Sequence, residues 1–243
     1  MMNITKTVAL FAICALGLPA HGMSGDEILK ISDSRFIPRI CSYIITIKTE
    51  DQSKKTSVNV AKGYKKGNDR NVIIVREPKR IAGSVHLRRG NVVWSYYTTN
   101  KRLMKMAYHS TFMGTMVNYG DIMATELSYD YNVKETKVNP DAYVLTLVPK
   151  PGHEGYAKIV LTIDRKTMLP KKREYYALSG ILMKMSDVKE IRTQNNVTAY
   201  LVQDFYEPLK ERHSLVTFED VRVLGDVPEK YFNENNAKFL GGE

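Results

Sequence analysis

The feature that most constrains the fold is a series of short apolar segments separated by residues that interrupt β-strands. Between residues 70 and 108 the pattern predicts four antiparallel strands, Val72–Arg76, Ser84–Arg88, Val92–Tyr97 and Leu103–Tyr108. The breaks between them contain Gly, Asn and Pro, which allow positive φ or remove a donor from the strand ladder. An apolar and aromatic face with basic residues at its turns favours a binding surface over a catalytic site.

The same pattern extends over most of the chain. Further predicted strands cover residues 42–49, 58–63, 142–148, 157–163, 172–178, 182–191, 198–204 and 214–221. Residues 109–131 lack strand alternation and indicate a segment that crosses over the sheet, and short helices are predicted at residues 26–30 and 228–239. Because a twisted sheet this wide curls or closes, the predicted fold is mainly β with short helices, an unclosed antiparallel half-barrel of roughly 10–11 strands with a helical lid or plug.

The N-terminus has the pattern of a secretory signal peptide. Lys6 precedes the apolar run Val8–Leu18, and small residues precede a cleavage position after Gly22. The run is too short for a spanning helix, which needs about 20 residues; a buried N-terminal helix is the alternative. We predict a signal peptide at residues 1–22, a single domain at residues 23–243 and a periplasmic location. Cys41 is then the one cysteine of the mature chain, which suits a domain stabilised by an ordinary core.

No catalytic or metal-binding motif is found in the sequence. The five histidines lack the spacing of metal ligands, and neither a G-x-S-x-G nor a P-loop motif occurs. Asp121, Glu126 and Asp130 could pair for acid–base chemistry, but helix-surface or capping roles are the stronger prediction because no nucleophile or metal site accompanies them. We therefore predict a protein that is not an enzyme and binds no cofactor or metal. An enzyme of another type would require polar groups that converge in a cavity.

The chain is basic, with a formal net charge of +10. Its basic clusters lie at predicted turns: Lys65-Lys66, Lys79-Arg80, Arg88-Arg89, Lys101-Arg102 and Lys171-Lys172-Arg173. They are interpreted either as solvated turns or as a peripheral contact with an anionic membrane surface. Nucleic acid is not expected as a partner of an exported protein.

The apolar face is rich in methionine, which suits a cavity for ligands of variable shape. Alternation predicts the following lining residues: Tyr43, Ile45, Ile47, Ile74, Trp94, Tyr96, Met104, Met106, Leu145, Leu147, Ile159 and Leu161. The predicted lid residues are Met113, Met116, Ile122 and Met123. A register error of one residue would move every side chain of a strand to the other face.

Several motifs resemble those of the LolA-like outer-membrane lipoprotein-sorting proteins. They are Pro78, Gly83, Leu87, Gly90-Asn91, Trp94, Tyr96, Met113-Gly114, Asp121, Asp130-Tyr131, Asp164, Leu169-Pro170 and Gly180. They mark turns and packing positions along nearly the whole mature chain. The turn at residues 97–100 departs from the family pattern because it lacks the usual Pro.

The resemblance implies an unclosed β-barrel whose apolar hollow carries the acyl chains of lipoproteins or lipids through the periplasm. It also implies an inner-membrane transporter and an outer-membrane acceptor as partners. Two alternatives stay open: an envelope protein-binding or sensory module of the same fold, and an accessory to a lipid-exporting transporter.

Overall fold

The computed structural model describes residues 22–35, 37–123, 126–194 and 197–242. The strands are β1 Ile40–Glu50, β2 Thr56–Lys66, β3 Arg70–Glu77, β4 Val85–Arg89, β5 Val92–Tyr97, β6 Arg102–Met106, β7 Tyr131–Val138, β8 Ala142–Pro149, β9 Lys158–Asp164, β10 Pro170–Tyr176, β11 Leu182–Gln194, β12 Val197–Glu207 and β13 Arg212–Val223. The helices are α1 Gly25–Ser34, α2 Tyr119–Met123, α3 Leu127–Asp130 and α4 Ala237–Leu240. Short 3₁₀ turns cover Lys79–Ile81, Pro208–Lys210, Glu229–Phe232 and Glu234–Asn236.

All the strands form one antiparallel sheet that is built outward from its centre. β1 to β6 extend to one edge, β7 to β13 return from the other edge, and β1 pairs with β13 in the middle. β6 and β7 are therefore the two edges, and the sheet is not closed between them. The predicted class, a mainly β, unclosed antiparallel half-barrel with short helices, is confirmed.

The described residues contain 13 strands, whereas the sequence indicated twelve strand segments and a half-barrel of roughly 10–11 strands. β7 was missed because its side chains are mostly exposed or half-buried, so it lacks the alternation of apolar and polar residues that marks a half-buried strand. Such a polar composition suits an edge strand, because exposed charged residues oppose pairing with another chain.

Each face of the sheet carries its own apolar cluster. The larger cluster lies on the inner face and includes residues of β1, β8, β9 and β13, together with α1 and the segment between β6 and β7. The smaller cluster lies on the outer face of β3 and β4, where the C-terminal segment packs through Phe232, Ala237 and Leu240. β3 is thus buried on both sides, with Ile73 in the inner cluster and Ile74 in the outer one.

One close approach on the inner face requires glycine. Gly63 of β2 lies opposite Tyr43 of β1, and a Cβ at this position would overlap the Tyr43 ring. The ring therefore lies across β2, and its hydroxyl donates to Asn71 Oδ1 at 2.8 Å. This contact extends the inner face from β1 to β3.

The first helix is fixed by its N-terminal residues. Ser24 and Glu27 form a capping box, in which each side chain accepts from the other residue's backbone N–H. Ile28 and Leu29 then enter the inner cluster.

Among the described residues, no helix has the length and apolar character needed to cross a membrane. Residues 1–21 of the predicted signal peptide lie outside the described part of the chain.

Candidate functional site

The candidate site is built around the segment that covers the inner face of the half-barrel. We call it the lid segment: residues 107–130, of which 107–123 and 126–130 are described. It begins with a loop closed by bonds from Phe112 N to Val117 O (2.8 Å) and from Tyr119 N to Ser110 O (3.2 Å), and continues into α2 and α3. Helices of five and four residues have little stability of their own, so contacts with the half-barrel must hold the lid segment in place.

Three acidic residues of the lid segment are buried against basic partners. Asp121 pairs with Lys184 of β11, Asp130 pairs with Arg88 of β4, and Glu126 pairs with the arginine that precedes β1. Each of the three carboxylate side chains is less than a tenth exposed. The predicted helix-surface role was therefore wrong, because the sequence does not reveal the cations that these acids meet in the fold.

The Lys184 ammonium is the centre of one such contact. It bonds Asp121 Oδ2 and the backbone oxygen of Met116, the latter at 3.3 Å. Three aromatic rings surround it with centroids between 5.3 and 5.9 Å away: Tyr156, Tyr175 and Phe205. This arrangement combines an ion pair with cation–π contacts in a buried setting.

Asp121 also organises the start of α2. Its Oδ2 accepts from Asn118 N at 2.7 Å, and Asn118 Oδ1 accepts from Asp121 N at 2.9 Å. The Tyr156 hydroxyl donates to Asp121 Oδ1 at 2.9 Å and accepts from Asn118 Nδ2 at 2.7 Å. The capping role predicted for Asp121 is present, and the same carboxylate links the lid segment to the residue two positions before β9.

Arg88 and Asp130 form the second contact, at the other end of the lid segment. Arg88 Nη2 donates to both carboxylate oxygens at 3.1 and 3.2 Å, and Arg88 Nη1 donates to Met123 O at 3.1 Å. Tyr108 donates to Asp130 Oδ2 at 3.2 Å, and His153 Nδ1 lies 3.5 Å from Asp130 Oδ1. Burial lowers the pKa of His153, so the imidazole is neutral at pH 7 and adds no positive charge to the pair.

A third contact is neutral and aromatic. His86 Nδ1 lies 2.8 Å from Ser95 Oγ and 3.1 Å from the Tyr119 hydroxyl of the lid segment. The Phe112 ring packs edge-on against His86 with centroids 4.9 Å apart. Burial lowers the pKa of His86 to about 3, so this contact stays uncharged at physiological pH.

α1 supplies a fourth contact, to α3. Asp33 Oδ2 accepts from Ser128 N at 2.7 Å. Burial raises the pKa of the Asp33 carboxyl to about 6, and the bonds to Ser128 oppose that rise.

Cavities lie on either side of this network. An inner cavity of about 30 Å³, room for one or two water molecules, lies between the lid segment, α1 and the sheet, and its wall includes Asp33, Asp121 and Tyr131. A cleft of about 520 Å³ opens to solvent between the lid segment, residues 149–157 and the β10–β11 hairpin. We call it the outer cleft; it shares Asn118 and Tyr156 with the inner cavity. Between the lid segment and the sheet, the described side chains thus leave little free space.

The structure brings most of the predicted lining residues together. Ten of the sixteen predicted lining and lid residues belong to the inner cluster: Tyr43, Ile45, Ile47, Leu145, Leu147, Ile159, Leu161, Met116, Ile122 and Met123. Met106 and Met113 are half-buried and pack against it. Whether these side chains contact a ligand stays a prediction.

Four predicted lining residues lie elsewhere. Ile74, Trp94 and Tyr96 pack on the outer face with the C-terminal segment, so they cannot line the inner cavity. Their assignment was wrong because β3 and β5 have apolar residues on both faces, and alternation then cannot distinguish inside from outside. Met104 opposes Ser95 on edge strand β6 and is 40% exposed.

The fold is similar to the folds of three solved structures, one of them described as a LolA superfamily protein. A LolA superfamily protein from Nitrosomonas europaea superposes with a TM-score of 0.79 at 20% identity, over 88% of this chain and 99% of that one. A domain from Vibrio parahaemolyticus described as an outer membrane lipoprotein-sorting protein gives 0.75 at 19% identity, over 88% and 98%. A DUF1329 family protein from Desulfovibrio piger gives 0.76 at 17% identity, over 87% and 96%.

The chain belongs to the family whose sequence model, described as “Uncharacterized protein”, matches residues 67–238. A search of curated proteins gives no match. The resemblance to the LolA-like proteins that the motifs predicted is confirmed by the fold.

Proposed function

We propose that the protein is a periplasmic carrier that holds the acyl chains of a lipoprotein or lipid in the half-barrel and delivers them toward the outer membrane. The observation that carries the proposal is the pairing of an extensive apolar inner face with a cover of little secondary structure. The lid segment is held by apolar side chains in the inner cluster and by discrete polar contacts, and the polar contacts can be exchanged. The half-barrel shared with the lipoprotein-sorting domain supports the same function.

Loading requires the lid segment to move, because the inner cavity of about 30 Å³ cannot hold an acyl chain. The acyl chain would take the place of Met116, Ile122 and Met123 against the inner face. At about 0.8 kcal/mol per buried CH₂, a palmitoyl chain gains of the order of 10 kcal/mol before the costs of ordering and lid opening. When these lid side chains return to the inner face, they favour release of the acyl chain. The lid segment therefore acts in both loading and release.

The outer cleft is the proposed entrance. Its volume of about 520 Å³ falls within the range typical of ligand pockets, about 300–1,000 Å³. It adjoins the inner cavity at Asn118 and Tyr156, so displacement of α2 would join the two spaces.

The proposed partners are an inner-membrane transporter, an outer-membrane acceptor and the anionic membrane surface. Transport of the acyl chain involves no covalent step.

Native mass spectrometry of the full-length protein, purified from bacterial cells under mild conditions, tests the proposal. We expect species with added masses equal to those of lipids or acylated peptides. A second measurement titrates cis-parinaric acid, whose own fluorescence rises in apolar surroundings. Trp94 is unsuitable as a reporter because it lies on the outer face.

A pair of matched variants locates the binding. Ala157→Trp places a large ring in the outer cleft, whereas Ala142→Trp places the same ring at the start of β8, outside the cleft wall. Both alanines are half-buried. We expect Ala157→Trp to weaken cis-parinaric acid binding about tenfold or more and Ala142→Trp to leave it unchanged. Absence of bound lipid together with no saturable binding of cis-parinaric acid would refute the carrier function.

A further inference from the structure

We infer that the cargo carries an anionic group beside its acyl chain and that Lys184 binds this group once the lid segment has moved away. The inference rests on the proposed carrier function and adds the chemical class of the cargo. A carboxylate or a phosphate would serve, since both are oxygen anions that an ammonium binds.

The first observation is that the ion pair between Lys184 and Asp121 lies at the boundary between the two cavities. Lys184 contributes to the wall of the outer cleft, and Asp121 contributes to the wall of the inner cavity but not to that of the cleft. Lys184 is therefore the member of the pair that belongs to the wall that a ligand entering from solvent meets first.

The second observation concerns what lid movement does to Lys184. Both oxygen atoms that accept from its ammonium, Asp121 Oδ2 and Met116 O, belong to the lid segment, whereas Lys184 belongs to the sheet. The described residues provide no other oxygen partner for it. Opening therefore removes both acceptors from an ammonium whose side chain is 7% exposed in the closed structure, and leaves it beside three aromatic rings of the sheet side.

Loss of one partner from a buried ion pair is strongly unfavourable, because it leaves an uncompensated charge away from water. An anionic head group that reached Lys184 through the outer cleft would restore the pair, and the acyl chain would follow into the half-barrel. Asp121 is then the internal substitute that occupies Lys184 in the empty, closed carrier. A neutral lipid would leave the ammonium unpaired and would bind more weakly.

The other two lid carboxylates do not impose the same requirement. Arg88 keeps an acceptor outside the lid segment, because its Nε donates to Gly90 O at 2.8 Å. Arg39 is 68% exposed and would be hydrated when Glu126 left. The selectivity for an anion is therefore assigned to Lys184.

Calorimetric titration of the full-length protein with three single-chain probes tests the inference. The probes are palmitate, palmitoyl lysophosphatidate and the neutral monopalmitin, which share the acyl chain and differ in the head group. We expect the wild-type protein to bind the two anionic probes about tenfold or more tightly than monopalmitin. If only one anionic probe shows this advantage, the inference stands and the result identifies carboxylate or phosphate as the group bound.

The variant used is the double substitution Asp121→Asn with Lys184→Met, because Lys184→Met alone leaves Asp121 buried and unpaired and could prevent folding. We expect the double variant to bind all three probes within about twofold of one another. Lys210→Met is the matched control: Lys210 also lines the outer cleft, but it is 61% exposed and pairs with Glu207 outside the lid segment. It should keep the wild-type preference.

If the wild-type protein bound neither palmitate nor palmitoyl lysophosphatidate more tightly than monopalmitin, or if a preference survived in the double variant, the inference would be overturned and the carrier proposal left intact. Failure of the wild-type protein to bind any of the three probes would overturn the carrier proposal itself.

Discussion

At the scale of single residues, the position of the lid segment depends on ionisable groups that are buried and paired. Asp121, Glu126 and Asp130 are nearly inaccessible to water, and each meets a cation of the surrounding structure. Buried pairs of this kind contribute little net stability but are costly to break singly. They therefore suit a segment that must have one defined closed position and also be able to leave it.

Asp33 provides a prediction about pH dependence. Its carboxyl has a pKa of about 6 in the folded protein because it is buried, compared with the ordinary value of 3.8. The protonated form therefore favours folding: this stabilisation is complete below about pH 4 and is lost as the pH rises through about 6. The difference in pKa corresponds to roughly 3 kcal/mol.

We expect Asp33→Asn to raise the free energy of unfolding by about 1–3 kcal/mol at pH 8 and to have little effect near pH 4. The amide oxygen can still accept from Ser128 N, but it carries no charge to bury. Urea unfolding at both pH values measures the effect. Asp26→Asn, on the exposed side of the same helix, is the control and should change neither value. A gain that is equal at both pH values would contradict the assignment.

Arg88 provides a second prediction at this scale. Arg88→Met would leave the Asp130 carboxylate buried without its cation and remove the bond to Met123 O. We expect a loss of about 3–5 kcal/mol in the free energy of unfolding, part of which Asp130→Asn should restore in the double variant. Arg89→Met, at the exposed neighbouring position of β4, should change stability by less than about 0.5 kcal/mol. Equal effects of the two arginine substitutions in urea unfolding would disprove the role of the pair.

At the scale of elements, the sequence predicts the meander well because Gly, Pro and Asn mark its turns and alternation marks its half-buried strands. β3 shows where this reasoning ends: five consecutive residues, 71–75, are buried, so the sequence cannot tell which of Ile73 and Ile74 faces inward. The answer depends on the C-terminal segment, which covers the outer face from more than 150 positions along the chain. The lid contacts were unpredictable for the same reason, since Asp121 and Lys184 are 63 residues apart.

The C-terminal segment gives a prediction of its own. Phe232 is 1% exposed in the outer cluster, whereas Phe239 of α4 is 65% exposed. We expect Phe232→Ala to lower the free energy of unfolding by about 3–5 kcal/mol because it leaves a cavity, and Phe239→Ala to change it by less than about 0.5 kcal/mol. Urea unfolding of the two variants measures the difference. Similar values for both would mean that this segment does not stabilise the outer face.

At the scale of the whole molecule, one sheet is covered on each face by a segment with little regular structure, and the two covers differ in chemistry. The C-terminal segment inserts Phe232, Ala237 and Leu240 into the outer cluster. The lid segment also fills the inner face with apolar side chains, but buried acid–base pairs fix its position. A carrier requires the inner cover to open while the rest of the sheet stays folded.

Hydrogen exchange followed by mass spectrometry tests this requirement. We expect amides in residues 107–123 to exchange at least about tenfold faster than those of β1, which is paired on both sides at the centre of the sheet. Addition of palmitate should increase exchange further in residues 107–123, because the acyl chain takes the place of the lid side chains. Residues 228–240, which cover the other face, are the internal control and should not respond to palmitate. If the lid amides exchanged only as fast as those of β1, the lid segment would open only when the whole protein unfolds, and a carrier that works by lid movement would be ruled out.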